Sequence, residues 1–398
     1  MVKKIIIEKL YLLFIIVLIG GYSAMSILTI EHDSLYVAED PILLKLFVGL
    51  LFVSAAFYIV LNIRYVHVNK IGHILLFLSC YMAIWRVIDL PPTVGLLSYF
   101  YQPMHNLLII LIFIFAYILS SKSKEILDFF ATGMIVAMLI TAFFYYKNWT
   151  FANEVDEAHL GTSYYVLFLL PTLLLTPHKW LRYVGLIITG LVLFSSFKRG
   201  GVIAFVLAIV AYLFVKEVLV ERKFTRLLVF LIAVIALFII LIFVDNAMGN
   251  IISERILNIR EDGGSNRDQV WATTWNMIKD SDAQQLLFGH GYSAVVQDSP
   301  IEQSAHNDFL EVLYDWGIIA FIPYLILHFT LIKQVFSLII QRCSFAPTLA
   351  FTYTIFIILS LISIVILYPL MTLIAIVWGI AHNTQNQQIY ENRNSNIS

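Results

Sequence analysis

Apolar runs of about 16 to 22 residues recur along the chain, each long enough to cross a hydrocarbon core of about 30 Å as a helix. They predict spans near 10–30, 42–62, 69–88, 104–120, 126–146, 161–176, 180–196, 201–219, 226–245, 308–332, 346–366 and 367–382, about twelve helices in all. Pro171 predicts a kink in the sixth span. Tyr368-Pro369 reads either as the boundary between the last two or as a kink in one segment. Residues 246–307 form the only long polar stretch. Loops beyond about 15 residues are usually functional or disordered, and helical periodicity in this one favours function.

The pattern defines an all-α polytopic integral membrane protein whose long loop contains short helices. It divides into N-terminal helices (1–160), a core (161–335) that includes loop 246–307, C-terminal helices (336–382), and an Asn/Gln-rich tail (383–398) expected to be disordered. No internal repeat is visible.

Composition agrees: 60% of the 398 residues are hydrophobic and 13% charged, with a mean hydropathy of +0.87. Soluble domains are about half apolar and a quarter charged. A net charge of −1 implies no bulk attraction to nucleic acid. Two cysteines, Cys80 in an apolar run and Cys343 in a basic loop, make a disulfide framework unexpected. The basic start MVKKIIIEKL leads into a long apolar run with no small-residue cleavage site, which predicts an uncleaved first span. Threading the spans with the N-terminus inside puts 16 of the 25 Lys and Arg residues on the inner side, so both termini are expected to be cytoplasmic and loop 246–307 outside.

Several cations defy that trend. Lys198, Arg199, Arg255, Arg260 and Arg267 fall on the outer side. In Ser195-Ser196-Phe197-Lys198-Arg199-Gly200-Gly201, two cations and a tight glycine turn precede a helix whose first amides are unpaired, a combination suited to phosphate. Two cations snorkelling to the headgroups would give the same sequence. In Gly263-Gly264-Ser265-Asn266-Arg267-Asp268, Ser265 can cap a helix that shows Trp271, Trp275 and Ile278 on one face and would lie on the outer interface. Arg267 sits in its first turn, where the helix dipole disfavours a cation unless an anion lies between. A solvated loop arginine is the plainer alternative.

The stretch Phe288–Gly317 concentrates the remaining polar groups. Gly289-His290-Gly291 predicts a sharp turn, and His306-Asn307-Asp308 opens the next span, with Glu311 and Asp315 keeping its outer end polar. Histidine titrates near neutrality, so His306 can accept a proton from a sugar hydroxyl. An interfacial histidine that bonds only lipid or a loop carbonyl is the bland reading. Asp280-Ser281-Asp282 has the D-x-D form of some metal-binding transferases, but Ser and Asp more simply end a helix. The ten histidines show no metal-ligand spacing, so no metal or cofactor is expected.

In order and spacing, Arg199-Gly200, Arg267, the Gly289–Gly291 turn, His306-Asn307, Glu311 and Gly317 together resemble the O-antigen ligase/polymerase family of bacterial membrane glycosyltransferases. The resemblance covers roughly residues 160–335 and implies a helical, GT-C-like fold in the bacterial inner membrane with its active site on the periplasmic face. It implies transfer of glycan from undecaprenyl pyrophosphate to a sugar hydroxyl without a metal. His306 would be catalytic. Arg199, Arg267, Lys198, Arg260, Asn307 and Glu311 would bind substrate or pyrophosphate, and Gly200, Gly289, Gly291 and Gly317 would shape turns. Implied partners are a lipid-linked oligosaccharide donor, a glycan or lipid A core acceptor, bilayer lipids and a chain-length regulator. A repeat-unit polymerase leads; a ligase to lipid A core shares the same donor, and a flippase for the same lipid is the alternative from another class. Charges gathered on one face and no repeated halves argue against a transporter.

Overall fold

The structure is a computed structural model. It describes residues 2–29, 42–66, 68, 70–89, 96–152, 163–196, 199–225, 228–229, 231–232, 235, 263–366 and 370–395. Lys198, Arg255, Arg260 and most of the predicted span 226–245 lie outside them.

The helices are α1 (Val2–Thr29), α2 (Ile42–Leu61), α3 (Lys70–Ile88), α4 (Leu96–Ser121), α5 (Lys124–Ala152), α6 (Ser163–Leu173), α7 (Lys179–Ser195) and α8 (Arg199–Leu213), which widens into a π-turn segment to Val220. Three loop helices follow, α9 (Gly263–Asp280), α10 (Ala283–Phe288) and α11 (Ala294–Asp298), then α12 (Asp308–Ile340), α13 (Ala346–Ile362) and α14 (Leu370–Ser395). No strand occurs among the described residues.

Seven of these helices are long and apolar enough to cross a membrane, and Ser163–Leu173, Ala346–Ile362 and Leu370–Thr384 are shorter apolar helices. Of the expected span 161–176, the described helix covers 11 residues, Ser163–Leu173, with Pro171 inside it. The Pro369 boundary separates two helices, α13 and α14, rather than kinking one. The tail expected to be disordered is helical as far as Ser395. It contains no glycine or proline to break the run.

Buried aromatic and aliphatic side chains from nearly every long helix merge into one core, with Trp316, Trp378, Tyr165 and Tyr324 among the largest fully enclosed. Small residues let backbones cross closely, as membrane helices do. A Cβ on Gly379 of α14 would collide with the Phe113 carbonyl of α4, and one on Gly20 of α1 would lie 2.9 Å from Ala137 Cα of α5.

The two ends of the bundle differ. At one end, Lys122 pairs with Glu8, Lys9 with Glu125 at 2.6 Å, and the Tyr58 hydroxyl donates to Glu8 at 2.9 Å. At the other end, the loop helices pack on α12 and contact the C-terminal part of α3. Helix ends therefore alternate along the chain, as antiparallel spans require.

Candidate functional site

The site forms where α6, α8 and α12 begin and α13 ends. Asn307 caps α12: its Oδ1 accepts from the Phe309 and Leu310 amides at 3.0 and 3.2 Å. An asparagine cap at this step satisfies two of the four orphan amides of a helix start. Its Nδ2 donates to the Leu361 carbonyl at 3.2 Å, tying α12 to the end of α13. Asp308, fully buried, accepts from the Val365 and Ile366 amides at 2.8 and 3.2 Å and from the Tyr324 hydroxyl at 2.9 Å. The loop after α13 is thereby folded over the start of α12.

His306 precedes this cap and adopts a left-handed backbone, φ 48°. Such a conformation is unusual for a non-glycine residue and collects at functional sites. Its neighbour Ala305 is anchored, since its amide donates to Glu311 Oε2 at 2.8 Å.

Glu311 and Asp315 correct the expectation of a polar outer end, because both are fully buried. Asp315 Oδ1 accepts from the Val295 amide at 3.0 Å, so the two carboxylates hold loop positions 295 and 305 against one helix face. A buried carboxylate is tolerable only with donors, and the loop amides supply them. Glu311 Oε1 and Asp315 Oδ2 have no hydrogen-bond partner. The polar atoms of Asn307 and one oxygen of Glu311 thus bond the protein's own backbone.

Gly317 breaks α12 with φ 66° and ψ −173°, leaving a half-helix 308–316 before the long span. Carbonyls just before the break take the turn instead: the His290 and Gly291 amides donate to Tyr314 and Asp315 at 3.0 and 2.9 Å. Gly289 and Gly291 have φ of 91° and 121°, as a sharp turn there demands.

Within the turn, His290 stacks on Tyr314 with ring centroids 4.0 Å apart, and its Nε2 is 2.8 Å from Ser281 Oγ. Burial holds its pKa below the ordinary value, opposed in part by Asp298 and Asp282. Asp282 is spent as the cap of α10, accepting from Gln284 and Gln285 at 2.8 Å each, which accounts for the D-x-D pattern. Among the described residues, no group of three or more His, Cys, Asp or Glu side chains could hold a metal.

Tyr164 packs against the start of α8. Arg199 is the first residue of α8. The next residue, Gly200, is helical and closely packed rather than part of a turn: a Cβ there would lie 2.7 Å from Ile362 and 3.5 Å from the Tyr164 hydroxyl. A Cβ on Gly201 would likewise lie 2.7 Å from the Tyr164 ring, so this tyrosine packs on the start of α8, and the Arg267 charge acts on it through space. The start of α8, Tyr164 and Ile362 therefore pack together, and Asn307 and Asp308 hold the segment 361–366 beside His306. Sequence reasoning gave Tyr164, Ile362 and Asp308 no role. Only tertiary packing brings them to the site.

The helix carrying Arg267 also departs from expectation. It starts at Gly263, so Ser265 lies inside it rather than capping it. Val270, Thr274 and Ile278 turn inward, whereas Trp275 is 46% exposed. The inward stripe is i, i+4, i+8, set by packing on α12 rather than by the tryptophans.

Fold and site together define a multi-pass helical membrane protein. Its polar, cation-bearing centre lies at one end of the bundle, under a long loop. Residues 184–325 match the model of a family described as O-Antigen ligase, which supports assigning the chain to the O-antigen ligase/polymerase family and an activity of that type. No curated protein matches the chain significantly.

Proposed function

We propose that this protein is a membrane glycosyltransferase that extends surface polysaccharide by moving glycan from undecaprenyl pyrophosphate to a sugar hydroxyl on the periplasmic face. The observation that carries this reading is the packing of Tyr164 and Ile362 on the start of α8, beside the capped helix start that presents His306. The donor's anomeric C–O bond breaks and the lipid pyrophosphate leaves as an anion. Arg199 and Arg267 offer planar, bidentate donors to that developing charge. The acceptor oxygen forms the new bond to the anomeric carbon, and its proton passes to His306. A pyrophosphate leaving group is already activated, so the reading requires no metal. Both termini are cytoplasmic and loop 246–307 periplasmic, as the Lys/Arg asymmetry favours.

A second reading, ligation to lipid A core, is favoured by the description of the matched family. The test is reconstitution with lipid-linked repeat units alone. A ladder of longer lipid-linked glycans supports the polymerase; no ladder, but transfer on adding lipid A core, supports the ligase. Impermeant thiol labelling of cysteines placed in loop 246–307 should succeed in intact spheroplasts. Labelling only after permeabilisation would overturn the orientation.

A further inference from the structure

The turn at 289–292 is gripped from two sides. One is the half-helix 308–316, through the amides of His290 and Gly291. The other is the C-terminal part of α3, from Tyr81 to Arg86, and the residue after the helix, Asp89, in a part of the chain outside the segment matched to the family. There, the Tyr81 hydroxyl donates to the Phe288 carbonyl at 2.8 Å. The Tyr292 amide donates to the Asp89 carboxylate across 203 residues of sequence. The Arg86 guanidinium lies 3.3 Å from the centroid of the Tyr292 ring, and its Nε donates to Gln102 of α4. A Cβ on Gly291 would lie 2.7 Å from Asp89 Oδ2, so glycine lets the carboxylate come close.

These contacts form one mechanical chain. The α3 groups fix the turn, the turn fixes the carbonyl end of the half-helix, and the other end of that half-helix begins at the Asn307 cap beside His306. Asp315, in the same half-helix, also holds the Val295 amide. A cation stacked on an aromatic face and a carboxylate on a backbone amide are both stronger than neutral contacts. Placing both on one residue, Tyr292, leaves the turn little freedom.

We propose that Arg86 and Asp89 are positioning residues for glycan transfer: by gripping the turn from α3 they fix the half-helix 308–316 and keep His306 in register with Arg267 and the start of α8. This rests on the glycosyltransferase reading above. Neither residue touches the reacting atoms.

The test uses the full chain in nanodiscs, with undecaprenyl-pyrophosphate-linked oligosaccharide extracted from the producing cells as substrate. Misplacement of a reacting group by about 1 Å can cost about 100-fold. Asp89→Ala and Arg86→Gln are therefore expected to lower kcat by about 10- to 100-fold, with KM within about twofold. Asp89→Asn retains an oxygen acceptor for the Tyr292 amide and should recover most of the turnover. Amide hydrogen exchange across 289–295 should accelerate in Asp89→Ala and return in Asp89→Asn.

Near-normal kcat in folded Asp89→Ala and Arg86→Gln would overturn the proposal, as would losses that only track folded protein or appear only in KM. His306→Ala and Arg267→Ala run in the same assay. If they are inactive while the α3 variants turn over normally, this inference alone falls. If His306→Ala stays active, the reading on which it rests falls with it.

Discussion

Gly289 and Gly317 are pressed backbone to backbone. A Cβ on Gly317 would stand 2.5 Å from the Gly289 nitrogen, and one on Gly289 would strike the Asp315 carbonyl. Gly289 has φ 91° and ψ 179°, and Gly317 has φ 66° and ψ −173°, conformations that side chains rarely adopt. The turn therefore docks against the break in α12 only because neither residue carries a side chain. Backbone strain of this kind costs of order 1–3 kcal/mol at each position. Gly289→Ala and Gly317→Ala should each lower the thermal midpoint in detergent and shorten or abolish the glycan product. They share one contact, so the double variant should lose less stability than the sum of the singles. Strict additivity would show that the two glycines do not act on each other.

His290 makes the turn sensitive to acid. Burial is the larger influence on it and lowers its pKa from the ordinary 6.5. A histidine whose folded pKa is lowered binds fewer protons folded than unfolded. Its contribution to stability is complete above the unfolded value and is lost as pH falls through that value toward the folded one. Asp298 and Asp282 work against the shift without reversing it. The thermal midpoint should fall between about pH 7.5 and about pH 5.5, with a shallower fall in His290→Gln. Equal slopes in the two proteins would remove His290 as the cause.

Arg267 and Arg199 should be unequal to lysine. A planar guanidinium binds pyrophosphate at two points, whereas an ammonium is a point charge. Losing one transition-state donor costs about 10²- to 10³-fold where charge develops. Arg267→Ala should lose activity on that scale with normal membrane abundance, and Arg199→Lys should also be impaired. Glycan of normal amount and length from both variants would end their assignment to the leaving group.

Hydropathy made the membrane helices legible, because lipid demands long apolar runs whatever the fold. The glycines at 289, 291 and 317 were legible as well, since their backbone geometry requires that residue type. Glu311 and Asp315 were not: a charged residue near a helix start reads as exposed unless the loop amides that receive it are known. On α9 the sequence reading assigned only the tryptophan face, to the membrane interface; the inward stripe of Val270, Thr274 and Ile278 is set by packing that no local pattern shows. Tyr164 and the grip of α3 on Tyr292 were invisible for a different reason. Each joins segments about a hundred to two hundred residues apart, and no local periodicity encodes such a meeting.

The measurement closest to the central claim is transfer by His306→Ala. His306 stands at a capped helix start with a left-handed backbone, beside the segment 361–366 that packs with Tyr164 on the start of α8. Loss of a general base costs about 10²- to 10⁴-fold. Glycan product, membrane abundance and binding of the lipid-linked donor should be measured on the same preparation. The account predicts transfer reduced on that scale with abundance and donor binding preserved; normal glycan ladders from well-expressed His306→Ala would contradict it.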